Sequence, residues 1–327
     1  MKKVLRKNEF YIFLTILFLA LIVEIRSGQF FTNNNIVDIT RTLIVPAILT
    51  IGAFIVIVSG GIDVSFTAIA SLSMYVTTKI LIDIGYEGTV FLPFIMSAVL
   101  GFILGAFNGF IIVRFKISTL IVTLGTMGIF SGIMLGVLKS REFPVIPKPM
   151  DNFGRASLLT VRNPESGLTS ALPVAIFILI GIFIITFFIL RYTIWGRGIY
   201  AIGGDENSAR IIGLKVDKIK FFVYCFAGMI AGIAGMVRAC MMLVCHPTNL
   251  IGMELTVIAA VVLGGASITG GRGTLISIML GISLLTIIGS SLLLLGIPTY
   301  WQQFVVGIFI IVGTGISESR SRGLKNI

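Results

Sequence analysis

The chain has 327 residues, of which 56% are hydrophobic and only 12% charged, against about 25% charged in an ordinary soluble domain. Its mean hydropathy of +1.06 marks more apolar surface than a soluble chain of this length can hide, so the sequence reads as an integral membrane protein. The formal net charge is +11, but the basic residues sit in short segments between apolar runs. No basic stripe interleaved with aromatics exists, which argues against a nucleic-acid partner and points to loop sidedness instead.

Lys2, Lys3, Arg6 and Lys7 precede the run Phe10 to Ile25. No small-residue cleavage site follows, so this reads as an uncleaved first helix. The apolar runs are continuous rather than alternating, which predicts helices and not an outer-membrane barrel. Spans fall roughly at 9–25, 43–60, 64–82, 90–113, 118–138, 171–190, 221–243, 254–269, 274–295 and 300–317. The expected fold is all-α and polytopic, one membrane domain over residues 1–327 with about ten crossings of about 20 residues each. Small residues interrupt 43–82 and 254–295, which predicts half-helices or re-entrant pieces there.

Charge sets the expected orientation. Arg191, Arg197, Arg210, Lys215, Lys218 and Lys220 crowd the connection 191–220, which marks it as cytoplasmic, together with both termini. The segment 139–170, with Pro144, Pro147, Pro149 and Pro164, is then the long external loop. Cys225, Cys240 and Cys245 lie in or beside one apolar run with no repeated spacing, so they read as small packing residues rather than a disulfide or metal framework.

Two segments echo one another. Val58-Ser59-Gly60-Gly61 and Leu263-Gly264-Gly265-Ala266 each lead through a polar patch into an apolar helix. Paired Gly-broken segments are a transporter plan. Counting crossings puts both echoes on the same side, whereas an inverted repeat opposes them. Gly265 to Gly270 also has the GxxxxG spacing of a phosphate loop, but Gly271-Arg272 follows instead of Lys-Ser/Thr. ATP is therefore not expected to bind there.

Within 191–220, Asp205 suits an N-cap, Glu206 the first turn and Gly213 a C-terminal stop. The helix between them is about eight residues, and helices under about 12 residues are marginal alone in water. It must dock, either on its own bundle or on a cytoplasmic partner. Asp63, behind Gly60 and Gly61, has to cap a helix near Ser65, pair, or face water, since a buried carboxylate in a membrane costs about 2.5–3.5 kcal/mol. The open alternatives are a structural cap and a part in gating. Arg238 and Glu254 either pair across the bundle or snorkel separately. Asn108 and Thr123, near Gly101, Gly105, Gly109 and Gly125, read as polar groups bonded across close helix contacts, with sugar contact the alternative. No Ser/His/Asp, Cys/His or paired-carboxylate cluster suggests catalysis.

Read in order, several segments resemble the permease subunits of bacterial ABC importers for ribose and other simple sugars, of the type II importer architecture. They are 58–65 (VSGGIDVS), 105–109 (GAFNG), 123–126 (TLGT), 196–204 (GRGIYAIGG), 209–213 (ARIIG) and 259–265 (AAVVLGG). The resemblance covers about residues 30–316. It implies a dimer of permeases, two cytoplasmic ATP-binding subunits that carry ATP and Mg, and an extracytoplasmic sugar-binding protein, all at the bacterial cytoplasmic membrane. It implies no cofactor bound by this chain. It also implies that Gly203, Gly204, Asp205, Glu206, Asn207, Ala209, Arg210 and Gly213 form a coupling helix on the ATPase. Pathway or gating candidates are Gly60, Gly61, Asp63, Ser65, Asn108, Thr123, Glu254, Gly264 and Gly265. The chain departs from the family pattern at Phe66-Thr67, where Val-Gly is usual, at His246-Pro247, where Gln-Pro is common, and at Thr256, where an Asp is common. The rival expectations are an ion-coupled secondary transporter using Asp63 or Glu254, a membrane-embedded enzyme, and a scaffold.

Overall fold

The computed structural model describes residues 8–139, 141–163, 167–298 and the positions 301, 304, 307, 308 and 311. Helix α1 spans Asn8–Ser27 and α2 spans Asn33–Val58. Thr32 caps α2, its hydroxyl accepting from the Asn35 N–H. At 1.5 Å per residue α2 is about 39 Å long, enough to cross a bilayer. Its residues are buried almost without interruption from Ile44 to Val58, so the helix is apolar all round and sits at the centre.

Helix α3 follows at Phe66–Asp83, then α4 at Phe91–Phe115 and α5 at Thr119–Gly132, which runs on as a π-helical turn over Ile133–Val137. Helix α6, Lys148–Arg155, and a hairpin of β1, Ser157–Arg162, with β2, Thr169–Pro173, occupy the long loop. Helices α7, Ile176–Tyr192, and α8, Ile194–Gly204, meet at a 74° bend. The Thr193 hydroxyl caps α8 by accepting from the Gly196 N–H at 3.2 Å. A Cβ on Gly196 would collide with the carbonyls of Ile189 and Leu190, so the bend depends on glycine there. Helix α9 is Glu206–Ile211, α10 Val216–Met242, α11 Glu254–Leu263 and α12 Leu275–Leu294.

The inner layer is α2, α3 and α10. Helix α4 packs on α10 over the most extensive helix–helix contact, and α12 packs on α2 and α1. Gly101 and Gly105 face Gly228 and Gly232, where a Cβ on any of the four would enter a backbone carbonyl of the other helix. Ser97 donates to the Gly232 carbonyl at 2.7 Å across the same contact. Small residues that bring backbones together are how membrane helices gain packing contacts without a hydrophobic drive. Gly125 has nothing near it, so it takes no part in this packing. Exposed Phe18, Ile103, Phe107, Ile121 and Phe188 on the outer helices form the apolar girdle expected of a lipid-facing surface. Cys225, Cys240 and Cys245 are free and buried.

Three sequence expectations change. Among the described residues six helices are long and apolar enough to cross a membrane, or seven with the bent α7–α8 pair counted as one span. The 254–269 segment is not a full span: α11 has ten residues, because Gly264 and Gly265 stop it. Most of the 300–317 segment lies outside the described residues. The 139–170 loop and the start of the 171–190 segment hold a β-hairpin that no periodicity announced, its exposed strand alternating poorly. The hairpin seats against α2, where Asn34 donates to the Val161 carbonyl at 3.1 Å. Tyr75 on α3 donates to the Arg141 carbonyl at 2.8 Å. Loop 139–170 therefore covers one end of the bundle, and α2 carries the chain to the other.

Candidate functional site

The far end of α2 is where the two echoed glycine segments meet. Beyond Val58, the Ser59 hydroxyl donates to the Val56 carbonyl at 2.7 Å and Gly60 turns at φ +84°. In the second segment Gly265, Gly270 and Gly271 all have positive φ, a conformation that costs other residues strain. The Gly271 N–H donates to the Val58 carbonyl at 2.9 Å. Gly203, at the end of α8, lies between the two turns. A Cβ on Gly203 would enter the Val58 carbonyl oxygen and stand 2.5 Å from the Gly271 nitrogen. One on Gly270 would stand 2.7 Å from the Gly60 nitrogen and 2.8 Å from the Gly203 Cα. Three backbones thus touch at distances that only glycine allows. The two echoes lie side by side at one end of the bundle.

Helix α9 grows directly out of this junction. The Asp205 carboxylate accepts from the Asn207 N–H at 2.9 Å and the Ser208 hydroxyl at 2.7 Å, an N-cap. The Ser208 hydroxyl, and then the Asn207 N–H, hold the Asp205 carboxyl below its ordinary pKa. A depressed carboxylate contributes its share at neutral pH and loses it only as pH falls through the folded-state value. The cap therefore persists across physiological pH. The helix has six residues rather than about eight, and Gly213 ends the segment at φ +84°.

The faces of α9 divide between its own chain and solvent. Ala209 is 2% exposed and faces its own bundle. Glu206 accepts from Lys220 at 2.5 Å and Arg210 at 3.0 Å, and Arg210 also reaches Asp217 at 2.6 Å. These charges fasten α9 to the first turns of α10, so Glu206, Ala209 and Arg210 hold the helix to its own chain. A six-residue helix can bury one face only, and Ala209 takes it. Gly204 is exposed, and a Cβ there would meet nothing. Asn207, Ser208, Ile211 at 85% exposure and Ile212 at 72% face solvent. The two isoleucines were missed as surface residues. Their signal was present: two adjacent β-branched apolar residues closing a charged segment outside any apolar run.

A second cluster lies beneath the Gly60 turn. Asp63, Ser65, Asn108 and Thr123 are all buried. The Asp63 Oδ1 accepts from both the Ser65 N–H and the Ser65 hydroxyl at 2.7 Å. Asn108 on α4 donates to the Ser65 hydroxyl at 2.8 Å. The Thr123 hydroxyl on α5 accepts from the Val64 N–H at 3.3 Å, and Thr119 accepts from the Ile62 N–H at 3.0 Å. The chain entering α3 is thus pinned to α4 and α5 through polar side chains. Gly61 closes the cluster: a Cβ there would stand 2.5 Å from the hydroxyl of Tyr224, which is itself buried.

This geometry separates the two readings of Asp63. Asp63→Asn keeps an acceptor for the Ser65 N–H, whereas Asp63→Leu strands the buried Ser65 donors at about 1–3 kcal/mol each. Uptake and membrane protein level should survive in the first variant and fall sharply in the second. Loss of uptake in both, at normal protein level, would assign the role to charge.

Glu254 belongs to a different contact. Its Oε2 accepts from the Thr67 hydroxyl at 3.0 Å and the Gly252 N–H at 2.9 Å, joining the start of α11 to α3. Thr67 is one of the positions that depart from the family pattern. Arg238 donates to Asn249 at 2.7 Å, so the possible Arg238–Glu254 pair does not form. Gly264 packs α11 onto α12, a Cβ there standing 2.7 Å from the Ile278 Cα, and Gly265 lets the chain turn away at φ +90°.

The structure is a polytopic helical bundle with a short polar helix seated on glycine turns, and its class is that of a membrane permease. The chain belongs to the family described as branched-chain amino acid transport system / permease component, which it matches over residues 35–313. It is 31% identical to the ribose import permease protein RbsC of Escherichia coli K12 over 307 residues, 94% of this chain and 92% of that one. The ribose import permease protein RbsC of Bacillus subtilis 168 is also 31% identical, over 311 residues, with the same shares covered. The autoinducer 2 import system permease protein LsrC of Yersinia enterocolitica is 30% identical over 309 residues, 94% of this chain and 82% of that one. No solved structure matches. The likeness to ABC sugar-importer permeases read from the motifs therefore extends over nearly the whole chain.

Proposed function

We propose that this chain is the membrane subunit through which a simple sugar, ribose or a related furanose, enters a bacterial cell. Two copies, or this chain with a homologous permease, enclose the pathway. An extracytoplasmic binding protein delivers the sugar, and ATP and Mg are held by separate cytoplasmic subunits. The relatives named for ribose and autoinducer 2 import support the substrate class. The observation that carries the coupling is the junction: α9 begins three residues after Gly203, which packs directly against the Val58 carbonyl and the Gly270-Gly271 turn.

Mechanism follows from those contacts. An ATPase that grips Asn207, Ser208, Ile211 and Ile212 pushes or pulls α9. The ion pairs through Glu206 and Arg210 carry the displacement to α10, and Gly203 carries it to the ends of α2 and the loop before α12. The Asp63 cluster keeps α3 attached to α4 and α5 as a unit during that motion, through the Asn108–Ser65 and Val64–Thr123 bonds, while the Asn108 Oδ1 is buried without a partner among the described residues. Asp63, Ser65 and Thr123 then act in gating by position rather than by touching sugar. Glu254, half-buried and joined to Thr67, is the better candidate to face the pathway. Moving these units alternately opens the two sides, which is alternating access.

The proposal places α9 in the cytoplasm and the hairpin outside. Ser157 and Ser208 are both exposed. A cysteine at Ser157, in a chain whose three native cysteines are buried, should react with an impermeant maleimide on intact cells. One at Ser208 should react only after lysis. The opposite pattern would overturn the orientation.

A further inference from the structure

We propose a binding site for an acidic phospholipid in the groove between α4, α8 and α10. The groove encloses about 700 Å³. Trp195, Phe221 and Phe222 line its wall, with the Trp195 and Phe222 rings 4.8 Å apart. Arg114, Lys116 and Lys218 crowd one end. All three are exposed, and none has an ion-pair partner among the described residues. The single acid in the lining, Asp217, is already taken by Arg210 at 2.6 Å.

The shape identifies the occupant. Phe102, which also lines the groove, precedes Arg114 by twelve helical positions on α4, about 18 Å along the axis. The groove therefore runs from a cationic mouth into apolar depth over about one leaflet of a bilayer core of about 30 Å. A free anion fills only the mouth and leaves the apolar length empty. A phospholipid fills both, its phosphate on the three cations and one acyl chain along the aromatics. Trp195 at the boundary is the usual interfacial anchor. A second copy packed here through a two-fold axis would present the same unpaired cations rather than counter-charge. Unpaired basic side chains at the membrane surface attract anionic headgroups. The site requires only that the chain lie in a bilayer, so it stands apart from the transport reading.

The chain has two tryptophans, and Trp301→Phe leaves Trp195 as the sole reporter. The full-length variant is placed in nanodiscs of phosphatidylcholine doped with brominated phosphatidylglycerol or with brominated phosphatidylcholine. Trp195 should be quenched at mole fractions on the order of tenfold lower by the acidic lipid. Arg114→Gln with Lys116→Gln and Lys218→Gln should abolish the preference. Lys116→Arg with Lys218→Arg should retain it, which separates charge from any loss of fold. Equal quenching by the two lipids would reduce the groove to ordinary annular contact. No quenching by either would mean that protein covers it. Each of those results overturns the proposal.

Discussion

Gly203→Ala is expected to abolish uptake, while Gly204→Ala, one residue further on, is expected to leave it intact. The two positions share a helix end and a sequence context, but their surroundings differ. The new methyl group at Gly203 would enter the Val58 carbonyl, an atom that also receives the Gly271 N–H. No flexible side chain can yield at the closest contacts, because the three nearest atoms are all backbone. Overpacking of this kind costs about 1–3 kcal/mol, and losing the Gly271 bond in a half-buried turn adds about 0.5–1.5 kcal/mol. At Gly204 the added methyl meets open space, and replacing glycine by alanine in a helix gains about 1 kcal/mol at most. Uptake by cells and the melting temperature of the purified protein check both. Equal behaviour of the pair would mean that the junction is not a point of tight contact.

The second large effect is expected at the tip of α9. Ile211→Asp with Ile212→Asp should leave folding and membrane insertion unchanged, since both side chains are largely exposed. It should remove co-purification of the ATPase and with it substrate-stimulated ATP hydrolysis. Burying two aliphatic side chains in a partner is worth about 1.5–3 kcal/mol each, so placing two carboxylates in the same contact forfeits at least a hundredfold in affinity. Ala209→Arg should fail differently. Ala209 is buried against the chain's own bundle, so a long charged side chain there unseats α9 and lowers stability as well as coupling. ATPase binding unaffected by the isoleucine pair would place the partner contact elsewhere.

The sequence made the membrane class, most crossings and the existence of α9 legible, because each rests on local information. Apolar run length sets a span, and Asp205 and Gly213 mark a short helix wherever it docks. It also showed that Gly60 and Gly265 break their helices. It could not show that these turns meet each other and Gly203, because contact between residues 58, 203 and 271 is long-range and leaves no periodic trace. The seating of α9 on its own chain is long-range in the same way. Glu206 pairs with Lys220 and Arg210 with Asp217, both on the next helix. The hairpin at 157–173 escaped because its pairing is stabilised by α2 and not by alternation in its own strands.

The central claim is that this permease moves sugar only when a separate ATPase acts on it. The direct measurement is uptake of radiolabelled ribose into proteoliposomes containing this chain, its ATP-binding subunit and its binding protein. Uptake should require ATP inside the cytoplasmic compartment, resist a proton ionophore, and vanish when the ATP-binding subunit is left out. Uptake by this chain alone, driven by an imposed proton gradient and abolished by the ionophore, would contradict the account and identify an ion-coupled transporter.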